Sequence, residues 1–238
     1  MCVHSESGTL FPGVCGLPMQ IHHDSQTFFL QGPVGRLEAI LWTPTRAAAP
    51  PMAAVFCHPH PLFGGTLHNK VVYNAAKSLD ALGIPVLRFN FRGAGLSEGE
   101  HDRGLGERGD VQAAIDYLAQ QFPGLPLLVG GFSFGSWVGL QVGCADTRVR
   151  ELIGVGIPVN SSDFSYLANC AKPKLIVQGT SDQYGSWEKV EPVVALAAGE
   201  TRVSFVQGAE HFFAGHLDHL DQAITSWLIE RHPGLHKL

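Results

Sequence analysis

Three polar residues in the second half of the chain have the types and the order that nucleophilic catalysis requires. Ser133 lies in the pentapeptide GFSFG, Asp182 in GTSDQ and His211 in GAEHFF. A serine hydroxyl is protonated at neutral pH, so it attacks a carbonyl carbon only when a neighbouring base removes its proton. An imidazole with a pKa of about 6.5 can take that proton, and a carboxylate can fix its tautomer and stabilise the imidazolium. We therefore predict Ser133 as the nucleophile, His211 as the general base and Asp182 as the orienting acid.

The sequence around Ser133 supports this interpretation. GFSFG stands between an apolar run that predicts a strand (126–132) and a segment with helical spacing (135–145). A serine at such a turn has a strained backbone that raises its hydroxyl above the sheet, and its neighbours must be small, as Gly131 and Gly135 are. The N-terminus of the following helix favours an anion at the same place. Chance occurrence of the pattern is the alternative, since the chain contains 28 glycines.

Asp182 and His211 each follow a predicted strand. In a parallel sheet the loops after the strands share the carboxyl edge, so both side chains can meet Ser133 there. Asp182 could instead cap the helix predicted at 186–199, and Asp163 is the next candidate for the acid. Other histidines near the end of the chain are predicted to lie on the surface of the last helix: His216, His219 and His232.

The segment HPHPLFGGT follows the strand predicted at 52–58 and is predicted to supply one donor of an oxyanion hole. In a fold with this kind of nucleophile turn, the loop in that position provides a backbone N–H to the developing oxyanion. Because proline has no N–H, the candidates narrow to His60 and, as the alternative, Leu62. The second donor is predicted to be the amide of Phe134, directly after the nucleophile.

The same segment raises the possibility of a metal site formed by His58, His60 and His68. An H-x-H pair on extended backbone would direct both rings to one face. No carboxylate or cysteine with zinc-ligand spacing accompanies these histidines, so we expect no metal. We also expect no other cofactor, and we interpret His58 as a buried histidine that stabilises the loop.

A second glycine-rich segment, RFNFRGAGLSEGE, also follows a predicted strand. It lacks the G-x-G-x-x-G pattern of a dinucleotide-binding loop. Arg92 is predicted to brace this loop, with contact to an anionic substrate group as the alternative. Glu107 and Asp110 lie near a predicted helix start, where carboxylates complement the helix dipole. A pair of acid and base carboxylates is the other interpretation of these two residues.

Strands and helices alternate along most of the chain. Residues 26–44 predict two strands joined by a Gly-Pro turn, and further strands are predicted at 52–58, 85–91, 126–132, 151–157, 172–179 and 201–208. Helical spacing occurs at 69–83, 106–122, 135–145, 186–199 and 216–232. This alternation favours an α/β fold with a mostly parallel central sheet and helices on both faces. We predict one domain at 25–238, preceded by a flexible N-terminal arm at 1–24.

Composition limits the partners and the compartment. The 238 residues carry a formal net charge of −5 and no basic stripe, so nucleic acid is not an expected partner. Residues 117–145 have no charged side chain, but Pro123, Pro126 and several glycines interrupt them, so we expect no membrane span. The N-terminus has no secretory signal pattern. An odd number of cysteines without framework spacing predicts reduced thiols and a cytoplasmic location: Cys2, Cys15, Cys57, Cys144 and Cys170.

Five segments together resemble the small bacterial α/β-hydrolases, close to the dienelactone-hydrolase-like esterase branch: HPHPLFGGT, NFRGAGLSEG, GFSFGSWVG, GTSDQ and GAEHFF. The resemblance covers about residues 25–232. It implies an α/β-hydrolase fold and esterase-type chemistry with Ser133, Asp182 and His211 as the triad. True dienelactone hydrolases have a cysteine nucleophile, so the resemblance implies acyl transfer without implying a lactone substrate.

The expected function is that of a serine carboxylesterase acting on small or short-acyl esters. Only residues 159–173 separate two predicted strands where lidded relatives insert a cap, so we expect little or no cap domain and an open groove. Its predicted walls are Leu62, Phe63, Phe134, Trp137, Phe164, Tyr184 and Phe212. A thioesterase or small amide or peptide hydrolase with the same triad is one alternative, and a non-catalytic binding protein is another. The expected partner is a small-molecule ester, and a homodimer is left open.

Overall fold

The computed structural model describes residues 23–45 and 50–237. Within these residues, eight strands form one sheet with the spatial order β1-β2-β4-β3-β5-β6-β7-β8. The strands are β1 (His23–Gly32), β2 (Gly35–Pro44), β3 (Ala53–Cys57), β4 (Val86–Phe89), β5 (Leu127–Phe132), β6 (Val149–Val155), β7 (Lys174–Gly179) and β8 (Thr201–Val206). The helices are α1 (Lys70–Asp80), α2 (Glu107–Gln121), α3 (Phe134–Ala145), α4 (Trp187–Leu196) and α5 (Leu217–Arg231). Two short 3₁₀ turns lie at Pro61–Phe63 and Ser165–Asn169.

The sheet is parallel from β4 to β8, and the β1–β2 hairpin joins it by antiparallel pairing of β2 with β4. Every residue of β3, β5 and β7 is buried, as expected for strands covered by helices on both faces. Apolar residues of α1 and α5 pack on one face, and those of α2, α3 and α4 pack on the other. The predicted α/β fold, with a mostly parallel central sheet and helices on both faces, is therefore confirmed.

All predicted strands and helices are present, and only their ends differ. Residues 159–173, where a cap would be inserted, contain only the 3₁₀ turn Ser165–Asn169. The first strand begins earlier than predicted: His23 and Asp24 belong to β1, whereas the predicted arm includes them. This early start is stabilised by His23, whose Nδ1 lies 2.9 Å from Asp80 Oδ2 and whose ring stacks on Trp42 at 4.3 Å. Residues 1–22 of the predicted arm lie outside the described residues.

The prediction that the cysteines are reduced thiols is wrong for one pair. Cys144 at the end of α3 and Cys170 form a disulfide, with their Cα atoms 5.5 Å apart. Spacing could not reveal this pair, because the fold brings together two residues that are 26 positions apart in the chain. Cys57 is free and buried, while Cys2 and Cys15 lie outside the described residues. The disulfide removes the argument from reduced thiols on which the cytoplasmic prediction rested.

The uncharged stretch 117–145 is divided among the end of α2, strand β5 and helix α3. Among the described residues, none of the helices combines the length and the apolar character that crossing a bilayer requires.

Candidate active site

The turn between β5 and α3 holds Ser133 in a conformation that non-glycine residues rarely adopt, with φ 55° and ψ −122°. The backbone around it permits no larger neighbours. A Cβ added to Gly131 would overlap the backbone of Gly135, and one added to Gly135 would overlap the carbonyl of His58. The Ser133 amide donates to the Val155 carbonyl at 2.9 Å, which ties the turn to the adjacent strand. Strain of this kind persists where surrounding structure fixes it, and such positions cluster at functional sites.

The structure brings the three predicted triad residues into one hydrogen-bonded chain. His211, in the loop after β8, has Nε2 2.9 Å from Ser133 Oγ and Nδ1 2.8 Å from Asp182 Oδ2. Asp182 follows β7, so all three side chains reach the carboxyl edge of the sheet, from the loops after β5, β7 and β8. Asp182 and His211 are both buried, each with 3% of its surface exposed. The arrangement can pass a proton from the Ser133 hydroxyl to the imidazole while the carboxylate holds the ring.

Both oxygens of the Asp182 carboxylate accept hydrogen bonds, from the loop that follows it and from Gln178 of β7. Its Oδ1 accepts hydrogen bonds from the amides of Tyr184 (2.8 Å) and Gly185 (3.3 Å). Its Oδ2 accepts one from Gln178 Nε2 at 2.8 Å, in addition to the contact with His211. These donors hold the buried carboxylate in place and fix the face that it presents to the imidazole.

The alternatives to Asp182 do not fit the structure. Helix α4 begins at Trp187 after Ser186, so Asp182 lies outside its first turn and does not cap it. The carboxylate of Asp163 accepts hydrogen bonds from the backbone amide and hydroxyl of Ser165, and these bonds lower the pKa of Asp163. The carboxylate of Asp163 therefore stabilises its own local turn and does not orient His211.

The three predicted oxyanion donors occupy different situations. Phe134 is the first residue of α3, so its N–H precedes the helical hydrogen-bond ladder and is left free by it. The Leu62 N–H donates to Nδ1 of His60 at 3.3 Å, within the 3₁₀ turn Pro61–Phe63, which disfavours the alternative donor. His60 and Phe134 both line the cavity that contains Ser133. Their assignment as donors stays a prediction.

His58 fixes the loop that carries His60. Its ring is fully buried, with Nδ1 2.6 Å from the Pro59 carbonyl oxygen and Nε2 accepting the Phe91 N–H at 2.9 Å. Burial lowers the pKa of His58 to about 3, so the ring is neutral and carries its proton on Nδ1. Because the Pro59 carbonyl and the His60 N–H belong to one peptide plane, this bond orients the predicted donor.

With both of its ring nitrogens engaged, His58 is not available as a metal ligand. Within the described residues, no group of three or more histidine, cysteine, aspartate or glutamate side chains is arranged to hold a metal ion.

A cavity of about 290 Å³ opens above Ser133. Of the predicted walls, Phe63, Tyr184 and Phe212 line it, together with Phe134. It also has walls that we did not predict: Pro59, Gly64, Gly65, Asn69, Pro158, Ser161 and Ser162. The first four belong to or follow the HPHPLFGGT segment, whose place next to the oxyanion donor was the available signal. The others lie after β6, where the sequence has no distinguishing pattern.

Three predicted walls do not line this cavity. Leu62 lies on the 3₁₀ turn with 67% of its surface exposed, because that short turn directs it outward. Trp137 lies one turn into α3, and its Nε1 donates to the Asp163 carbonyl at 2.9 Å. Phe164 is 2% exposed and packs in the core. The later histidines also lie away from the cavity, at the two ends of α5: His216, His219 and His232.

Arg92 is a brace, as predicted. Its guanidinium and backbone N–H donate to Asp110, with Nη2 2.7 Å from Oδ1, and thereby link the loop after β4 to helix α2. Asp110 and Glu107 are fully buried and do not line the cavity, so they are not an acid and base pair. The Glu107 carboxylate instead accepts backbone N–H groups from Asp102 and Gly104, each at 2.8 Å.

Comparisons with known proteins agree with this fold. A family model described as an alpha/beta hydrolase domain matches residues 56–222. An uncharacterised protein of Rickettsia prowazekii is 39% identical over 210 residues, which span 84% of this chain and 87% of that protein. The structure of an alpha-beta serine hydrolase homologue from Coxiella burnetii is 38% identical, with a TM-score of 0.81 over 85% of this chain and 97% of that one. A Xanthomonas campestris serine hydrolase described as lacking a lid is 33% identical, with a TM-score of 0.81 over 94% and 97%.

Proposed function

The chain belongs to the α/β hydrolase family, and on that premise we propose that it is a serine carboxylesterase that cleaves small or short-acyl esters through an acyl-enzyme on Ser133. One observation carries the proposal: the continuous chain of hydrogen bonds from Ser133 through His211 to Asp182 at the floor of a cavity. A buried imidazole between a hydroxyl and an ionised carboxylate is the arrangement that makes a serine nucleophilic.

The first half-reaction follows from this geometry. As Ser133 Oγ forms a bond to the ester carbonyl carbon, its proton moves to Nε2 of His211. The carbonyl π electrons move to oxygen, which becomes the oxyanion of a tetrahedral intermediate. Asp182 stabilises the imidazolium through Nδ1. The intermediate then collapses: the bond to the alcohol oxygen breaks, His211 returns the proton to that oxygen, and the acyl group remains on Ser133.

The predicted donors for the oxyanion are the amides of His60 and Phe134. Two support features favour this assignment: His58 orients the peptide that precedes His60, and the N-terminus of α3 adds its dipole at Phe134. Donors of this kind stabilise a transition state because they are aimed where the charge develops, and losing one costs about 2.7–4 kcal/mol.

The second half-reaction repeats the first with water. His211 takes a proton from water, whose oxygen attacks the acyl carbon, and a second oxyanion forms in the same place. When that intermediate collapses, the bond to Ser133 Oγ breaks and His211 returns the proton to the serine. The products are one carboxylic acid and one alcohol, and the enzyme is restored.

The lining of the cavity argues for neutral substrates. Its aromatic side chains come from Phe63, Phe134, Tyr184 and Phe212, and the described residues that line it include no lysine, arginine, aspartate or glutamate. A volume of about 290 Å³ is roughly ten times the 30 Å³ share of one water, enough for a short acyl chain or one aromatic ring. Such pockets distinguish substrates modestly, by about 1–3 kcal/mol per methylene.

The proposal is tested by the hydrolysis of p-nitrophenyl acetate, butyrate and octanoate. We expect turnover of the two shorter esters with a burst of p-nitrophenol, weaker turnover of octanoate, and a loss of at least about 10⁴-fold in kcat for Ser133→Ala. Matched thioester and amide substrates in the same panel measure the preference for the ester bond. Unchanged turnover by Ser133→Ala would show that Ser133 is not the nucleophile. Turnover of thioesters alone would show that the same triad cleaves a thioester bond rather than an ester bond.

A further inference from the structure

We propose that His101, held by the buried carboxylate of Glu107, is a positioning residue for the oxyanion hole. The inference rests on the proposed function, since it concerns the two amides expected to bind the oxyanion, those of His60 and Phe134. His101 lies in the loop between β4 and α2 and does not line the cavity. It therefore acts through its neighbours rather than on the substrate.

Glu107 fixes the place of His101. The carboxylate is fully buried, and its two oxygens accept the amides of Asp102 and Gly104, which wraps the loop around it. His101 Nδ1 lies 2.7 Å from Glu107 Oε1, in close contact, although the two groups do not have the geometry of a hydrogen bond. The His101 side chain is 7% exposed, so the loop and the carboxylate together leave it little freedom.

The ring of His101 packs against both residues that carry the expected donors. It lies 4.7 Å from the His60 ring and 5.5 Å from the Phe134 ring, measured between centroids. The rings of His60 and Phe134 are themselves 4.9 Å apart. The three rings form a closed triangle, so a displacement of His101 changes the relative position of the other two residues.

The chemistry of His60 is consistent with a packing role. Its Nδ1 accepts the Leu62 N–H, which requires that this nitrogen carry no proton. Burial lowers the pKa of His60, and the nearby His101 lowers it further against an opposing effect of Glu107. The His60 ring is thus a neutral surface against which His101 and Phe134 pack, and its backbone N–H remains for the oxyanion.

A small displacement of such donors has a large kinetic effect. Oxyanion donors act when they lie about 2.7–3.1 Å from the developing charge, and complete loss of one lowers kcat by about 10²–10³-fold. Removing the His101 ring keeps the backbone amides of His60 and Phe134, but the side chains of these two residues lose a packing partner and can shift. We therefore expect His101→Ala to lower kcat by about 10- to 100-fold on p-nitrophenyl butyrate, with KM changed by less than about threefold.

His23→Ala is the matched control, because His23 also contacts a buried carboxylate, that of Asp80 at 2.9 Å, away from the cavity. Thermal unfolding of both variants measures any general loss of stability. The proposal predicts a kcat loss for His101→Ala alone. Equal kcat values for the two variants would overturn it.

A second readout reports on the oxyanion hole itself. Thiocarbonyl sulfur accepts hydrogen bonds weakly, so a hydrolase that relies on oxyanion donors favours an ester over the matching thionoester. We expect His101→Ala to reduce this ester-to-thionoester rate ratio, and His101→Phe, which keeps a ring in place, to retain most of it. A ratio unchanged in His101→Ala would contradict the positioning role even if kcat fell.

Failure of this inference is distinguishable from failure of the proposed function. Ser133→Ala measured in the same assay establishes whether turnover depends on the nucleophile. A wild-type protein with Ser133-dependent turnover and an insensitive His101→Ala variant overturns the inference alone.

Discussion

Two histidine–aspartate pairs at opposite edges of the sheet have nearly the same local geometry. His211 Nδ1 lies 2.8 Å from Asp182 Oδ2, and His23 Nδ1 lies 2.9 Å from Asp80 Oδ2. Both carboxylates are buried. The first pair lies in the loops after β7 and β8, at the carboxyl edge, whereas the second joins the start of β1 to the end of α1 at the amino edge.

The pairs differ in what surrounds them. The carboxylate of Asp182 accepts hydrogen bonds from Gln178 of β7 and from the amide of Tyr184, and the second nitrogen of His211 meets Ser133. The other carboxylate, that of Asp80, has one oxygen without a hydrogen-bond partner among the described residues, and the ring of His23 stacks on an indole. Burial raises the pKa of Asp80, against the effect of its bond to His23. We therefore expect catalysis to require, besides a histidine–aspartate contact, an oriented carboxylate and a strained nucleophile within reach.

The largest effect is expected from substitutions that remove the imidazole of each pair. His211→Ala should lower kcat on p-nitrophenyl butyrate by at least about 10⁴-fold, because Ser133 then has no base. His23→Ala should leave kcat within about twofold of wild type. Steady-state kinetics on the two purified variants, with thermal unfolding to confirm folding, measures the contrast. Similar kcat values for His211→Ala and His23→Ala would show that the two pairs do not differ in their contribution to turnover.

The next largest effect is expected from substitutions that remove the charge of each carboxylate while keeping its size. Asp182→Asn should lower kcat by about 10³–10⁴-fold, since an amide favours the wrong imidazole tautomer and cannot stabilise the imidazolium. Asp80→Asn should change kcat by less than about twofold and act only on the unfolding temperature. A mild kinetic effect of Asp182→Asn would mean that another group orients His211.

The elements and the triad could be predicted because their signals are local. Buried strands read as continuous apolar runs, and GFSFG requires glycine on both sides of the serine for steric reasons that hold in any such turn. The chain order of Ser133, Asp182 and His211, each after a strand, then placed them at one edge.

What could not be predicted depends on the direction of single side chains and on distant contacts. Leu62 and Phe63 are adjacent, yet only Phe63 lines the cavity, because one short turn separates their directions. The disulfide between Cys144 and Cys170 and the packing of His101 on His60 join segments with no shared pattern. Such contacts are set by tertiary packing, which periodicity does not encode.

A third buried histidine differs from both pairs, because the ring nitrogens of His58 contact the backbone groups of Pro59 and Phe91 rather than a carboxylate. Burial lowers its pKa from 6.5 to about 3, so between these pH values the unfolded chain binds a proton that the folded protein excludes. Acidification through this window therefore favours unfolding, by up to about 1.4 kcal/mol per pH unit. We expect His58→Asn to be less stable than wild type at neutral pH but to lose less stability between pH 6.5 and 4. Denaturant unfolding across this range tests the slope, and parallel slopes would show that His58 is not the group responsible.

The smallest expected effect concerns the cavity walls. Phe212→Ala should change the ratio of kcat/KM for butyrate over acetate by about 5- to 10-fold, because Phe212 lines the cavity. Leu62→Ala, at an exposed side chain outside the cavity, should leave that ratio unchanged. A larger change for Leu62→Ala than for Phe212→Ala would show that the acyl group binds elsewhere.

The most direct test of the account is covalent labelling with a fluorophosphonate probe, which reacts with a serine that a neighbouring base has activated. Intact mass and peptide mapping should show one probe per chain, attached to Ser133, and labelling should slow strongly in His211→Ala but not in His23→Ala. A folded protein that takes up no probe, or that carries it on another residue, would contradict the claim that Ser133, His211 and Asp182 form a working catalytic unit.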